Sequence, residues 1–349
     1  MNGLEIIGNI EARQFLDRAV RQGQLAPSYL FVGTRGLGKA LTARWLAQRV
    51  FCRNQQEAPC GECSACQRVA RNNHPDFSYV ERLVKKESGG PGIVEQVRHL
   101  IAEVQTSPYE ADTRFFAFNE AGALNDQSQN CLLKTVEEPP PHLVLILITE
   151  SLCKILTTIV SRCCVVRFSE MDRGELAWEL MQRGCEEERA QVLAAISGGV
   201  PGKALQLMED DKAWDFRQQV LQSVQDLMGA DIWTALETAR ILEDLVPRKE
   251  SSAEKKRVEV SSFSPGFEGM LGVLTSYYRD AMVLAAGGDP ALIINSDVYP
   301  ALVELAQNRG ARELEDCLTK LAEAEKHLGS HVQSRLWLQH LCLGLASAN

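Results

Sequence analysis

Long apolar runs are missing from this 349-residue chain. No stretch approaches the roughly 20 residues that cross a bilayer, so no membrane span is expected. The opening residues Met1-Asn2-Gly3-Leu4-Glu5 lack the basic region and apolar core of a secretory signal, and a cytoplasmic location is the expectation. Positive charge is also short. Lys and Arg number 37 against 46 Asp and Glu, a formal net charge of −9. Tight autonomous binding to nucleic acid relies on clustered Lys and Arg, so that class is disfavoured, although contact with DNA inside an assembly is not. Aromatic residues make up 6% of the chain and form no stripe interleaved with basic ones. That argues against a free-standing zinc-dependent nucleic-acid-binding module.

Apolar residues are plentiful, at 45%, with 25 Gly and 13 Pro. A chain of this length and composition buries a large core and divides into two or three domains. The stretch Gly33-Thr34-Arg35-Gly36-Leu37-Gly38-Lys39-Ala40 organises the rest. An apolar run, Ser28 to Val32, precedes it and a helical pattern from Leu41 follows. Strand, glycine-rich turn and helix form the setting of a phosphate-binding loop, with Gly33, Gly36, Gly38 and Lys39 as its signature residues. The spacing then fails, because Ala40 stands where a Ser or Thr would hold Mg²⁺. A second lapse follows at Thr113 to Phe118, a strand that ends in Asn119-Glu120 rather than in two acids. Asn119 is a weak metal ligand, and Glu120 is left either to orient a water or simply to close the strand.

Eleven cysteines are present, four of them clustered as Cys52-x₇-Cys60-x₂-Cys63-x₂-Cys66. Four thiolates at this spacing predict a tetrahedral Zn²⁺ site, structural because no ligand position stays open. His74 lies near in sequence but is not needed. The remaining cysteines read as small buried hydrophobes in a reducing compartment.

Alternating patterns predict a helix from about Asn9 and a strand at Phe77–Val80. They also predict helices at 93–104 and 125–138 and a doubly buried strand at 142–149, with a short strand at 165–168. Strands alternating with helices, with the loop after the first strand, predict a doubly wound parallel sheet. Helices are expected from about Glu170 onward, broken at Gly198–Gly202. Loops are expected at Lys85–Gly92 and near 247–265. Arg162, just before the last strand, reads on its own as a surface ion-pair residue.

Together the phosphate loop, the four-cysteine insertion after its helix, Asn119-Glu120, Leu132-Leu133-Lys134-Thr135-Val136-Glu137-Glu138-Pro139-Pro140 and Ser161-Arg162-Cys163 resemble the AAA+ subunits of the bacterial DNA polymerase III clamp loader. The resemblance is dense over about 28–168 and weaker beyond. It implies an α/β AAA+ domain with a RecA-like parallel sheet and zinc module (1–168, module 52–66). An all-α lid (169–210) and an all-α C-terminal collar (211–349) would follow. The family includes ATP-hydrolysing subunits (tau/gamma) and a kind that does not turn ATP over. Ala40, Asn119 and Gly202, the last near where active members offer a nucleotide-sensing Arg, favour the second kind, with ATP or ADP binding weak or absent. The resemblance further implies that Arg162 acts as an arginine finger in a neighbouring subunit's ATP site. Ser161 and Cys163 would set its position, and Thr149 matches a sensor position. The implied partners are tau/gamma and delta in a hetero-oligomer, and through them the sliding clamp and primed DNA. The alternative is an active ATPase of the same type using Lys39 and Glu120.

Overall fold

The computed structural model describes residues 6–81, 83, 92–225, 227, 230–246, 265–327 and 334–346. The expected loops at 85–92 and 247–265 lie outside these residues, apart from Gly92 and Pro265. Two compact units result, one of residues 1–172 with 200–202, the other of residues 173–199 with 203–349.

The first unit runs α1 (Ile10–Arg21), β1 (Ser28–Val32), α2 (Lys39–Phe51), α3 (Ser64–Ala70), β2 (Phe77–Val80), α4 (Ile93–Val104), β3 (Arg114–Phe118), α5 (Asp126–Glu137), β4 (Leu143–Thr149), α6 (Thr157–Val160) and β5 (Cys164–Arg167). The strands form one parallel sheet in the order β2-β3-β4-β1-β5. Every residue of β1, β3 and β4 is buried, which is why these segments read as unbroken apolar runs. Period-two alternation sorts them to two faces. Tyr29, Phe31, Phe115, Ile146 and Ile148 pack with Leu46 and Leu16 on one side. Leu30, Phe116, Leu145, Leu147 and Leu143 pack with Leu132, Val136 and Ile159 on the other. Strand β5 starts one residue earlier than its apolar pattern predicts, with half-buried Cys164 paired to Tyr29.

The second unit is helical: α7 (Arg173–Met181), α8 (Glu187–Ile196), α9 (Pro201–Met208), α10 (Asp211–Gln225), α11 (Ile232–Leu245), α12 (Phe267–Ala285), α13 (Tyr299–Asn308), α14 (Ala311–His327) and α15 (Ser334–Ala346). The first two residues of α9 belong to the first unit. One apolar core joins α10 to α15 around Leu242, Leu274, Tyr277, Leu314 and Leu338. A buried polar network crosses it. Arg217, 1% exposed, binds Asp297 at 2.7 and 2.9 Å and the Asn295 side-chain oxygen at 2.6 Å. Asp280, fully buried, accepts from the backbone N–H groups of Ile294 and Asn295 and from the Asn295 amide. These bonds hold the 294–297 segment against α10 and α12.

Not all the unclustered cysteines are buried hydrophobes. Cys317 and Cys342 are buried, Cys131, Cys163, Cys164 and Cys185 are half-buried, and Cys153 is exposed on a turn after β4.

Burial alone would raise the Asp297 carboxyl, but the bonded Arg217 guanidinium and the Gln218 amide outweigh it and hold the group below the usual carboxylate range. Removing the carboxylate strands a buried guanidinium. Asp297→Ala is therefore expected to cost about 3–5 kcal/mol of unfolding free energy in urea titrations. A depressed carboxylate pKa stabilises the fold fully above the ordinary carboxylate range, and the contribution is lost as pH falls through and below it. The difference between wild type and mutant should shrink accordingly on acidification.

Candidate functional site

The C-terminal ends of β1, β3 and β4 line one edge of the sheet, since Val32 lies opposite Thr149 and Phe118 opposite Leu147. The glycine-rich loop, Asn119-Glu120 and Thr149-Glu150 all emerge there, at the edge where open α/β sheets bind ligands. Gly33, Gly36 and Gly38 hold φ of 152°, 92° and 81°, values that residues with a Cβ rarely adopt. Lys39 opens α2 with Gly38 as its cap.

Several of the loop's polar groups, its lysine, a hydroxyl and some carbonyls, are engaged by the chain itself. Lys39 is buried, and its ammonium donates to the carbonyls of Gly33 and Thr34. Burial lowers its pKa to about 8, against the pull of Glu150 and with the help of Arg35. The Thr34 hydroxyl donates to Glu170 at 2.6 Å. The Asn9 amide donates to the Leu37 and Ser169 carbonyls, and its oxygen accepts from the Ser169 N–H. The Gly202 N–H donates to the Gly36 carbonyl at 3.0 Å. A Cβ on Gly202 would sit 2.8 Å from that oxygen and 3.0 Å from the Gly36 Cα, so only glycine fits against the loop. Ala40 offers no hydroxyl to a metal. Glu120 adopts a left-handed conformation (φ 52°) and lies 4.0 Å from Arg35 across a partly exposed surface. Thr149 is buried and its hydroxyl donates to the Ser151 carbonyl, a strand-end role.

Arg162 sits elsewhere. It follows the single turn of α6 and precedes β5, whose Cys164 pairs with Tyr29 and whose Arg167 pairs with Val32. Arg162 therefore enters the sheet from its N-terminal edge, whereas Gly33 leaves at the C-terminal edge. About 10 Å of strand separates those edges, before the flanking residues are counted. The guanidinium Nη1 donates to the Thr158 carbonyl at 3.0 Å and the Ser161 hydroxyl at 3.3 Å. Its Nη2 lies 3.0 Å from Glu137 Oε1. Cys163 turns inward against the core, and burial pushes its thiol up to about 11.

The four clustered cysteines converge. Their sulfurs all lie within 4.8 Å of one another, and among the described residues no other group of His, Cys, Asp or Glu does this. A tetrahedral Zn–S site has S···S separations of about 3.8 Å, so this donor set fits such an ion. Cys52 caps α2 and Cys63 caps α3. Backbone N–H groups of Cys60, Cys63 and Cys66 point at the sulfurs of Cys52, Cys60 and Cys63 at 3.4–3.5 Å. Burial raises the thiols of Cys52 and Cys66. Burial also opposes ionisation at Cys63, but hydrogen bonds from the backbone of Arg53 and Cys66 and from the neighbouring thiols prevail and lower it to about 6. Such N–H···S bonds favour the thiolates a metal needs. His74 is no part of the cluster. It is buried, stacked on Phe51, and its Nδ1 accepts from the Asp76 N–H.

The loop glycines, Lys39, the cysteines and Arg162 stand out as candidates in the sequence, whereas the contacts of Asn9, Glu170 and Glu137 with them do not. Asn9 carries a local signal, a Gly-Asn pair opening a helix; the other two carry none.

Residues 8–172 match the model of a family described as DNA polymerase III, delta subunit. The DNA polymerase III subunit delta' of Bacillus subtilis (strain 168) is 25% identical over 338 residues, which is 95% of this chain and 94% of the relative. That of Pseudomonas aeruginosa is 34% identical over 215 residues, 60% of this chain and 64% of the relative. The tau subunit of Escherichia coli (strain K12) is 30% identical over 232 residues, 64% of this chain and 35% of that subunit. The chain is thus similar to a delta' subunit over nearly its whole length and to a tau subunit over 64% of it.

Proposed function

We propose that this chain is a non-hydrolysing AAA+ subunit of a DNA polymerase III clamp loader. In this reading it assembles with tau/gamma and delta subunits in the cytoplasm. It supports ATP-driven loading of the sliding clamp onto primed DNA by giving Arg162 to a neighbour's ATP site. Residues 169–210 serve as its lid and 211–349 as its part of the collar. The separation between Arg162 and the chain's own phosphate loop carries the proposal, because an arginine at the opposite edge of the sheet serves a site on another subunit. The state of the loop supports the same reading. Lys39 is spent on Gly33 and Thr34, Gly202 covers Gly36, and neither Ala40 nor Asn119 holds Mg²⁺ well. We infer further that Cys52, Cys60, Cys63 and Cys66 bind one structural Zn²⁺, which would tie α2 to α3 and leave no ligand position for catalysis.

An arginine finger is worth about 10³–10⁵ in the rate of the site it serves. Arg162→Ala, in a loader reconstituted with tau/gamma and delta, is expected to lower DNA-stimulated ATPase and clamp loading several-fold while the complex still assembles. The remaining sites sustain the residual rate. Unchanged turnover would remove the trans-acting role. The purified chain alone should show no appreciable turnover, and Mg²⁺-dependent hydrolysis abolished by Lys39→Ala would establish the active ATPase instead. Elemental analysis should give about one Zn per chain, lost together with thermal stability when Cys60 and Cys63 are both replaced by Ser.

A further inference from the structure

Arg162 does not extend freely into solvent. Two of its contacts are to its own turn, the Thr158 carbonyl and the Ser161 hydroxyl, both through Nη1. These fix the base of the guanidinium. The third partner is an anion on another element: Glu137 Oε1, 3.0 Å from Nη2.

The core fixes this pairing. Glu137 is the last residue of α5, which Pro139 stops by forcing Glu138 out of the helical region, at φ −125° and ψ 68°. The buried Gln129 side chain pins α5 to the segment leading into α6. Its amide donates to the carbonyls of Leu124 and Lys154, and its oxygen accepts from the Leu156 N–H. Leu132 and Val136 of α5 share one core with Ile159 of α6. The ends of both helices are thus held in register, and the carboxylate meets the guanidinium on a rigid frame.

The chemistry of the pair is that of a replaceable contact. It involves one N–O approach rather than the two parallel bonds of a strong Arg–carboxylate pair. Its members are 42% and 44% exposed, so solvent screens it, and pairs of this kind are worth up to about fivefold in an equilibrium. A phosphoryl group carries more charge than a carboxylate and offers three oxygens to the same edge of the guanidinium. We propose that Glu137 is the resting partner of Arg162 and competes with the neighbouring subunit's nucleotide for it. The finger would then be parked until that phosphate displaces the carboxylate. Glu137 is thereby a positioning residue, and its role rests on the reading of Arg162 as a trans-acting finger.

The test uses reconstituted loaders carrying wild type, Glu137→Gln, Arg162→Ala or both, each checked for assembly by gel filtration. Glutamine keeps the shape and removes the competing charge. Glu137→Gln is expected to lower the ATP concentration for half-maximal DNA-stimulated ATPase by about two- to fivefold. The same change in the Arg162→Ala background should do nothing, because the coupling runs through the guanidinium. An unchanged or raised half-maximal concentration in Glu137→Gln, with turnover still depressed in Arg162→Ala, overturns the parking role and leaves the finger intact. An effect of Glu137→Gln that persists without Arg162 also overturns it. No effect of Arg162→Ala overturns both.

Discussion

Parallel pairing of β1 with β4 on one side and β5 on the other is the constraint on which the rest depends. It sends every strand the same way, so one edge of the sheet collects the strand exits and the opposite edge the entrances. The glycine-rich loop leaves by the first edge, and Arg162 arrives at the second. A single domain thereby presents two faces with different chemistry. One is a loop whose lysine is bonded to its own carbonyls, and the other is a cationic side chain at the surface. The pairing is in turn enforced by apolar residues that alternate between the two cores, since a slip of one residue would exchange Phe31 and Leu30 between faces.

The cysteine module extends this scaffold rather than hanging from it. It begins at the cap of α2, the helix that the loop launches. The buried Gln48 amide donates to the Cys66 carbonyl, and Arg49 pairs with Asp17 of α1 at 2.7 Å. From α3, Arg68 reaches Glu110. The carboxylate of buried Asp76 gathers the backbone N–H groups of Tyr109, Glu110 and Ala111. Order at the four sulfurs is therefore transmitted to the approach to β3.

What could be read from the sequence was what is local. A glycine-rich turn, a cysteine spacing and an apolar run each state their structure within about fifteen residues. The strands are legible on that basis. Contacts between distant segments stayed silent. Nothing near Glu170 marks it as the acceptor of Thr34, and nothing near Gly202 reveals that its missing side chain makes room for Gly36. Arg162 illustrates both sides. As an isolated residue it reads as a surface ion-pair member, which its contact with Glu137 is. Its suggested role came only from resemblance, and the pairing itself depends on Gln129 bringing two helix ends together. Arg217 was equally hidden, because an arginine in an amphipathic helix gives no sign that Asp297 will enclose it.

The close seat of Gly202 on the loop also limits what position 202 can hold. An arginine at position 202 would collide with the Gly36 backbone, where even a methyl group finds 2.8 Å. The loop would have to open first, and opening it breaks the bond that now closes it. A side chain at position 202 and the closed loop are mutually exclusive, because the space beside Gly36 is filled by the fold itself.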